Sequence, residues 1–247
     1  MALRIAFDLD GTLADLDSAL AEITRRLFGD EPEAVAPGVP PAGAEAGPTS
    51  EAGPTSEAGA TEEAGAAEDR VTPPRVRSLS PRQQSIVWEA ARRTPNFWET
   101  LDEIEPGAVA RLGTLARERR WEVIFLTQRP ACDGDTTQRQ SQRWIQAHGF
   151  ELPSVFVVSG SRGRVAAALD LDMVVDDRPE NCLDVKVDSK ARAVLVARSG
   201  GPAIPVNAAR LGIEAAASIG ELLDRLERGR SDGPSFLGRL KQMIRGN

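Results

Sequence analysis

Four acids stand in two tight groups. DLDGTL at 8–13 sets Asp8 and Asp10 two residues apart beside Gly11, and DDRPEN at 176–181 sets Asp176 and Asp177 side by side. Each group follows directly on an apolar run. Carboxylates forced this close repel unless a cation lies between them. Oxygen ligands of this kind suit Mg²⁺, which takes one or two carboxylates and fills its other positions with water and phosphate oxygens. Gly11 permits a tight turn after the first group. A third candidate is Thr127-Gln128-Arg129-Pro130, again after an apolar run. A hydroxyl and free backbone N–H groups at such a point can hold a phosphate. A fourth is SGSRGR at 159–164, where Arg162 and Arg164 fall at a predicted helix start. A cation there would neutralise both a bound phosphate and the acid that attacks it.

Other chemistries are poorly supplied. His148 is the sole histidine, and Cys132 and Cys182 are the only cysteines, far apart in the chain. Zinc therefore lacks its usual ligand set. No disulfide framework is implied, and a reducing, cytoplasmic setting fits. His148 precedes Gly149 at the end of a predicted helix, where it serves better as a cap than as a catalyst.

The candidate residues need elements to place them. Apolar runs at 3–7 (LRIAF), 123–126 (VIFL), 155–158 (VFVV), 173–175 (MVV) and 193–196 (AVLV) read as buried strands. Between them, helices are predicted over 15–28, 81–93 with Ser80 as N-cap, from Pro106, over 137–148 and over 164–169. In the helix at 81–93, Ile86, Val87 and Ala90 are expected to face inward. Strands alternating with helices predict an α/β fold, a Rossmann-like parallel sheet flanked by helices. Ligands of such sheets bind outside the carboxyl ends of the strands, where the four candidate groups fall.

The chain has 247 residues and a formal net charge of −7, but the charge is uneven. Residues 31–74 hold nine acids and one base, so they carry −8 and the other 203 residues carry +1. This segment has eight prolines, six glycines and no aromatic, and it repeats EAGPTS, EAGPTS, EAGATE from Glu45. Such a composition buries too little apolar surface to offset its ordering entropy, so a disordered insert is expected. The acidic net charge argues against general nucleic-acid binding, which needs basic surface to neutralise phosphates. No apolar run reaches the length of a membrane span, and the N-terminus is not that of a signal peptide. Residues 233–246 place Phe236, Leu237, Leu240, Met243 and Ile244 on one helical face. That tail is expected to pack on its own domain or on a second copy, which makes a homodimer a candidate assembly.

A strand followed by DxDGT, a strand followed by Thr, a basic residue at a helix start and a strand followed by DD, in that order, resemble the haloacid dehalogenase (HAD)-like superfamily. The match covers residues 1–15 and about 105–200. The DDRPEN run, with FWETL at 97–101 and Gly107-Ala108, looks most like the 5'(3')-deoxyribonucleotidase branch. The resemblance implies a core over 1–15 and 105–230 and a small helical cap over 16–104, interrupted by the insert, with the tail at 231–247 outside both. It implies a Mg²⁺-dependent phosphomonoester hydrolase acting on a small phosphorylated metabolite such as a nucleoside monophosphate. Asp8 would be the nucleophile and form an aspartyl-phosphate, and Asp10 the general acid and then base. Mg²⁺ would be held by Asp8, the Asp10 carbonyl and Asp176, with Asp177 in support. Thr127, Gln128, Arg129 and Arg162 would line the phosphate. The usual third-motif Lys is missing, since the first lysine is Lys186. Arg164, nearer the predicted helix start, is expected to replace it, with Arg162 as the other candidate. Phe97 and Trp98 are expected either to stack on a base or to glue the cap to the core. Two alternatives remain: a phosphatase for a sugar phosphate or other metabolite, and a non-catalytic binding module on the same fold.

Overall fold

Five apolar runs and one less apolar segment pair into a single six-stranded parallel sheet in a computed structural model of the chain. The structure describes residues 2–29, 74–198, 208 and 210–228. Strand β1 (Arg4–Asp8) leads into α1 (Leu16–Phe28). After residues 30–73 come α2 (Pro74–Arg77), α3 (Pro81–Arg92) and a 3₁₀ turn at Phe97–Glu99. Then follow α4 (Ala108–Arg119), β2 (Glu122–Thr127), α5 (Thr137–Ala147), β3 (Ser154–Val157), α6 (Arg162–Ala168) and β4 (Met173–Asp176). The described chain closes with α7 (Pro179–Asp188), β5 (Arg192–Val196), β6 (Ile213–Ala216) and α8 (Ile219–Arg228).

The strand order is β3-β2-β1-β4-β5-β6. The chain thus builds outward from β1 in one direction through β2 and β3, then returns to β1's other side with β4. That reversal creates a crevice at the carboxyl ends of β1 and β4, the place where open α/β sheets bind ligands. The register Phe7↔Val175 puts Asp8 and Asp176 next to each other at that crevice. Pairing of Asp8 with Leu126 puts Thr127 one step further along on the other side.

Side chains alternate across the pleat, so each face has its own core. Ile5 and Phe7 join one cluster with Leu16, Leu20, Trp88, Trp98, Leu112, Trp144 and Leu222. Ala6 joins the other, with Leu126, Val174, Leu195, Cys182 and Val185. The described helices of the segment 16–104 therefore share one continuous apolar cluster with a face of the sheet. Ser80 caps α3 in a reciprocal capping box with Gln83, as its sequence position predicts. Within α3, however, Val87, Trp88 and Ala91 are buried and Ile86 is exposed. The inward stripe runs through Trp88, whose large surface outweighs that of Ile86. Strand β6 and helix α8 lay outside the sequence expectation. Helix α8 is anchored by Glu105, whose carboxylate accepts the Ile219 and Gly220 N–H groups at 2.7 and 2.8 Å. Most of the low-complexity insert and the whole amphipathic tail at 231–247 lie outside the described residues. No helix among the described residues is long and apolar enough to cross a membrane.

Candidate functional site

The crevice gathers three carboxylates. Asp8, Asp176 and Asp177 each present an oxygen within 4.8 Å of the others. Asp8 ends β1 and Asp176 ends β4, so the sheet itself sets their spacing. Asp176 is locked from behind: it accepts the Arg178 backbone N–H at 2.9 Å and both its oxygens accept from Asn181 Nδ2, at 3.0 and 2.9 Å. Asn181 thus fixes the Asp176 carboxylate, whereas Glu180 is exposed, 3.9 Å from Arg178.

The cation opposite these acids is Arg162, not Arg164. Arg162 Nη2 donates to Asp8 Oδ1 at 2.7 Å, and its Nε lies 3.8 Å from Asp176 Oδ2. Arg164 is 85% exposed and reaches only Asp188, at 3.9 Å. The reason is the helix start. Ser161 is the N-cap and its hydroxyl accepts the Arg164 N–H, so α6 begins at Arg162, two residues before the expected point. At about 100° per residue, a side chain two positions on is turned about 200° away from the site.

Electrostatically the cluster is tense. Burial pushes the Asp8 carboxyl well above the ordinary carboxylate range; Asp176 pushes the same way and Arg162 pulls it back. Burial also raises Asp176, against Arg162 and the hydrogen bonds from Arg178 and Asn181. Asp177 is pushed up to about 7, by burial first and then by Asp176. Buried atoms here also lack partners: Asp177 Oδ1, Arg162 Nη1, Thr12 Oγ1 and Arg198 Nε make no hydrogen bond. Unpaired buried polar atoms are costly unless a ligand meets them. An all-oxygen donor set with unspent lone pairs fits a hard divalent cation. An unspent guanidinium N–H beside Asp8 fits an anion.

Asp10 is held differently. Arg129 Nε and Nη2 donate to its Oδ1 at 3.0 and 2.8 Å, Nε also lies 2.9 Å from Oδ2, and Thr127 Oγ1 donates to Oδ2 at 3.1 Å. The side chain of Asp10 therefore stands apart from the three-carboxylate cluster, and only its backbone carbonyl is left for a metal. Arg129, expected at the phosphate, has a side chain with 0% exposure. Its guanidinium lies over the Trp98 ring, 4.8 Å from the centroid. Gln128 sits at the rim and donates to the Ser159 carbonyl at 3.4 Å, joining the ends of β2 and β3.

Phe97 and Trp98 are 3% and 1% exposed. They pack edge to face on each other, and Trp98 Nε1 donates to the Pro130 carbonyl at 3.0 Å. They have no free face for a base, so of the two expected roles they fill the structural one. His148 also fills the role expected of it: it sits at the C-cap of α5, its ring nitrogen 2.7 Å from the Trp144 carbonyl.

One site residue went unnoticed in the sequence. Arg198, just past β5, donates to the carbonyls of Gly11 and Thr12 and so pins the loop that follows β1. The signal was available: it is a basic residue directly beyond a fifth apolar run, at the same sheet edge as the others.

The sequence matches no protein-family model, and no curated protein matches it. Solved structures do share the fold. A putative beta-phosphoglucomutase from Thermotoga maritima superposes with a TM-score of 0.50 at 17% identity, covering 92% of this chain and 99% of that one. A hydrolase from Pseudomonas syringae gives 0.49 at 15% identity, over 92% and 98% of the two chains. A HAD family hydrolase from Deinococcus radiodurans R1, solved with bound phosphate and sodium, gives 0.48 at 14%, over 92% and 96%. At these identities the likeness is one of fold: the chain has a Rossmann-like α/β architecture, a parallel sheet flanked by helices.

Proposed function

We propose that the protein is a Mg²⁺-dependent phosphomonoester hydrolase. The observation that carries this reading is the pairing of Arg162 with Asp8 inside a three-carboxylate crevice in which Asp177 Oδ1 and Arg162 Nη1, both buried, have no hydrogen-bond partner. Asp8, Asp176 and Asp177 would hold Mg²⁺, which when bound supplies the positive charge that lets an acid approach an anionic phosphate.

The chain's own residues divide the rest. An Asp8 oxygen attacks phosphorus; its new O–P bond forms as the bond from phosphorus to the ester oxygen breaks. That oxygen leaves with a proton from Asp10. Water then attacks the same phosphorus and gives its proton back to Asp10, and the Asp8 carboxylate departs. Arg162 Nη1 is free to donate to the phosphoryl oxygens throughout. Asn181 keeps Asp176 from turning.

Replacing Asp8 by Asn removes the nucleophile and should abolish phosphate release from an aryl phosphate in Mg²⁺. EDTA should do the same to the wild type. A wild-type protein that releases phosphate from no monoester would sink the reading. The nucleotidase form of the proposal rests on the sequence likeness at 176–181, 97–101 and Gly107-Ala108, without base stacking by Phe97 and Trp98, which are buried. A panel of nucleoside monophosphates against sugar phosphates decides it by kcat/KM.

A further inference from the structure

Nothing in the reaction above requires Arg129, yet it is the most completely enclosed cation described. Its guanidinium is used on every side: Nε and Nη2 on Asp10, Nη1 on Ser141 Oγ at 2.9 Å, and the π face on Trp98. Ser141 is itself fixed, donating to the Thr137 carbonyl at 2.8 Å. Trp98 is fixed twice, by Nε1 on Pro130 O and by its backbone N–H on Gln140 Oε1 at 3.2 Å. With no exposed surface, and with Nε, Nη1 and Nη2 each already on a protein oxygen, Arg129 is not placed to touch a substrate phosphate.

We propose that Arg129 is the positioning residue for Asp10, with Trp98 and Ser141 as its supports. A planar fork on both carboxylate oxygens fixes the plane and direction of the Asp10 carboxyl, which a point charge would not. Thr127 completes the cradle from β2, so two residues expected to bind phosphate act through Asp10 instead. The segment carrying Trp98 lies far from Asp10 in sequence, and this stack is how it reaches the site. The inference rests on the hydrolase reading, in which Asp10 hands a proton to the leaving oxygen. Correct aim then matters most for poor leaving groups, which need that proton, and least for good ones.

The test compares 2,4-dinitrophenyl phosphate with an alkyl phosphate in Mg²⁺, using the full chain. Arg129→Lys keeps the charge and loses the fork. It should lower kcat for the alkyl ester by about 10²-fold and for the dinitrophenyl ester by less than about 10-fold, with KM near wild type. Added to Asp10→Asn, it should cost nothing more, because both act through one carboxyl. Ser141→Ala, a small change that spares the fold if Arg129→Lys does not, should show the same leaving-group bias at a few-fold level. A raised KM with unchanged kcat, or an equal loss on both esters, overturns the proposal and returns Arg129 to the phosphate. A wild type without phosphatase activity fails earlier in the same assay, and there both the hydrolase reading and the positioning role fall.

Discussion

An offset of two residues at a helix start decides which of two arginines can do chemistry. Arg162 and Arg164 are the same residue type, two apart, and either could be read as the third-motif cation. The N-cap at Ser161 settles it by turning Arg162 into the crevice and Arg164 to solvent. Arg162→Ala should therefore reduce kcat by about 10²–10³-fold, the cost of removing one donor aimed at developing negative charge. Arg164→Ala should leave kcat and KM within about twofold, since an exposed pair at 3.9 Å contributes little. Phosphate-release kinetics on both variants check this, and a larger loss in Arg164→Ala than in Arg162→Ala would return the assignment to the sequence expectation. The residue types at the site were legible in the chain: Asp8, Asp176 and Asp177 converge where strand-end logic put them. Their partners were harder to see. Arg129 read as a phosphate ligand because of its type and Trp98 as either a base platform or glue for the cap, and only packing shows the first spent on a carboxylate and the second on a carbonyl.

Elements hold these residues at fixed spacing, and the tightest joint among them is between α6 and α7. A Cβ at Gly163 would meet the Asp184 backbone carbonyl oxygen at 2.0 Å and the Asp188 Cβ at 2.7 Å. In an open helix, Gly→Ala gains about 0.5–1 kcal/mol from propensity. Here overpacking against backbone costs about 1–3 kcal/mol and wins. Gly163→Ala should thus lower the denaturation midpoint. It should also lower kcat, because α6 carries Arg162 and cannot retreat from α7 without moving it. A stabilised variant with full activity would show that the contact relaxes freely. Periodicity made the strong elements legible: β1, β2 and β5 are near-continuous apolar runs bounded by polar residues. It did not find β6, whose Ile213–Ala216 sequence IEAA has one large apolar side chain. That strand forms because β5 offers a partner edge and because Arg192 pairs with Glu214 across it at 2.8 Å. Neither cause is local. The start of α8 carries a local signal, Ser218, whose hydroxyl accepts the Glu221 N–H at 3.0 Å, while its other support, Glu105, lies 114 residues away.

At the scale of the molecule, charge has two separate meanings. The −7 of the whole chain comes from residues 31–74, yet it says nothing about the site. The site's own charge is three carboxylates against Arg162, with Arg198 nearby, and it links folding to pH. Asp8, Asp176 and Asp177 all sit above the ordinary carboxylate value in the folded protein, Asp177 at about 7. The native state then binds more protons than the unfolded chain between about pH 4 and pH 7. The contribution of these three acids to the stability of the metal-free protein falls as pH rises through that window, whereas carboxylates held low by arginines, such as Glu22, Glu89 and Asp224, act the other way at its acid end. A hard cation binds only the deprotonated acids and relieves their repulsion, so its stabilising effect grows in the same window. Thermal unfolding in excess Mg²⁺ against EDTA should show almost no difference near about pH 5. Near about pH 8 the difference should reach roughly 5 °C or more, at about 2–4 °C per kcal/mol for a chain of this size. Asp177→Asn removes one repelling carboxylate. It should raise the melting temperature in EDTA at the higher pH and shrink the Mg²⁺ increment. An increment that is the same at both pH values, or larger at the lower one, would mean that the three acids are not the cation's ligands.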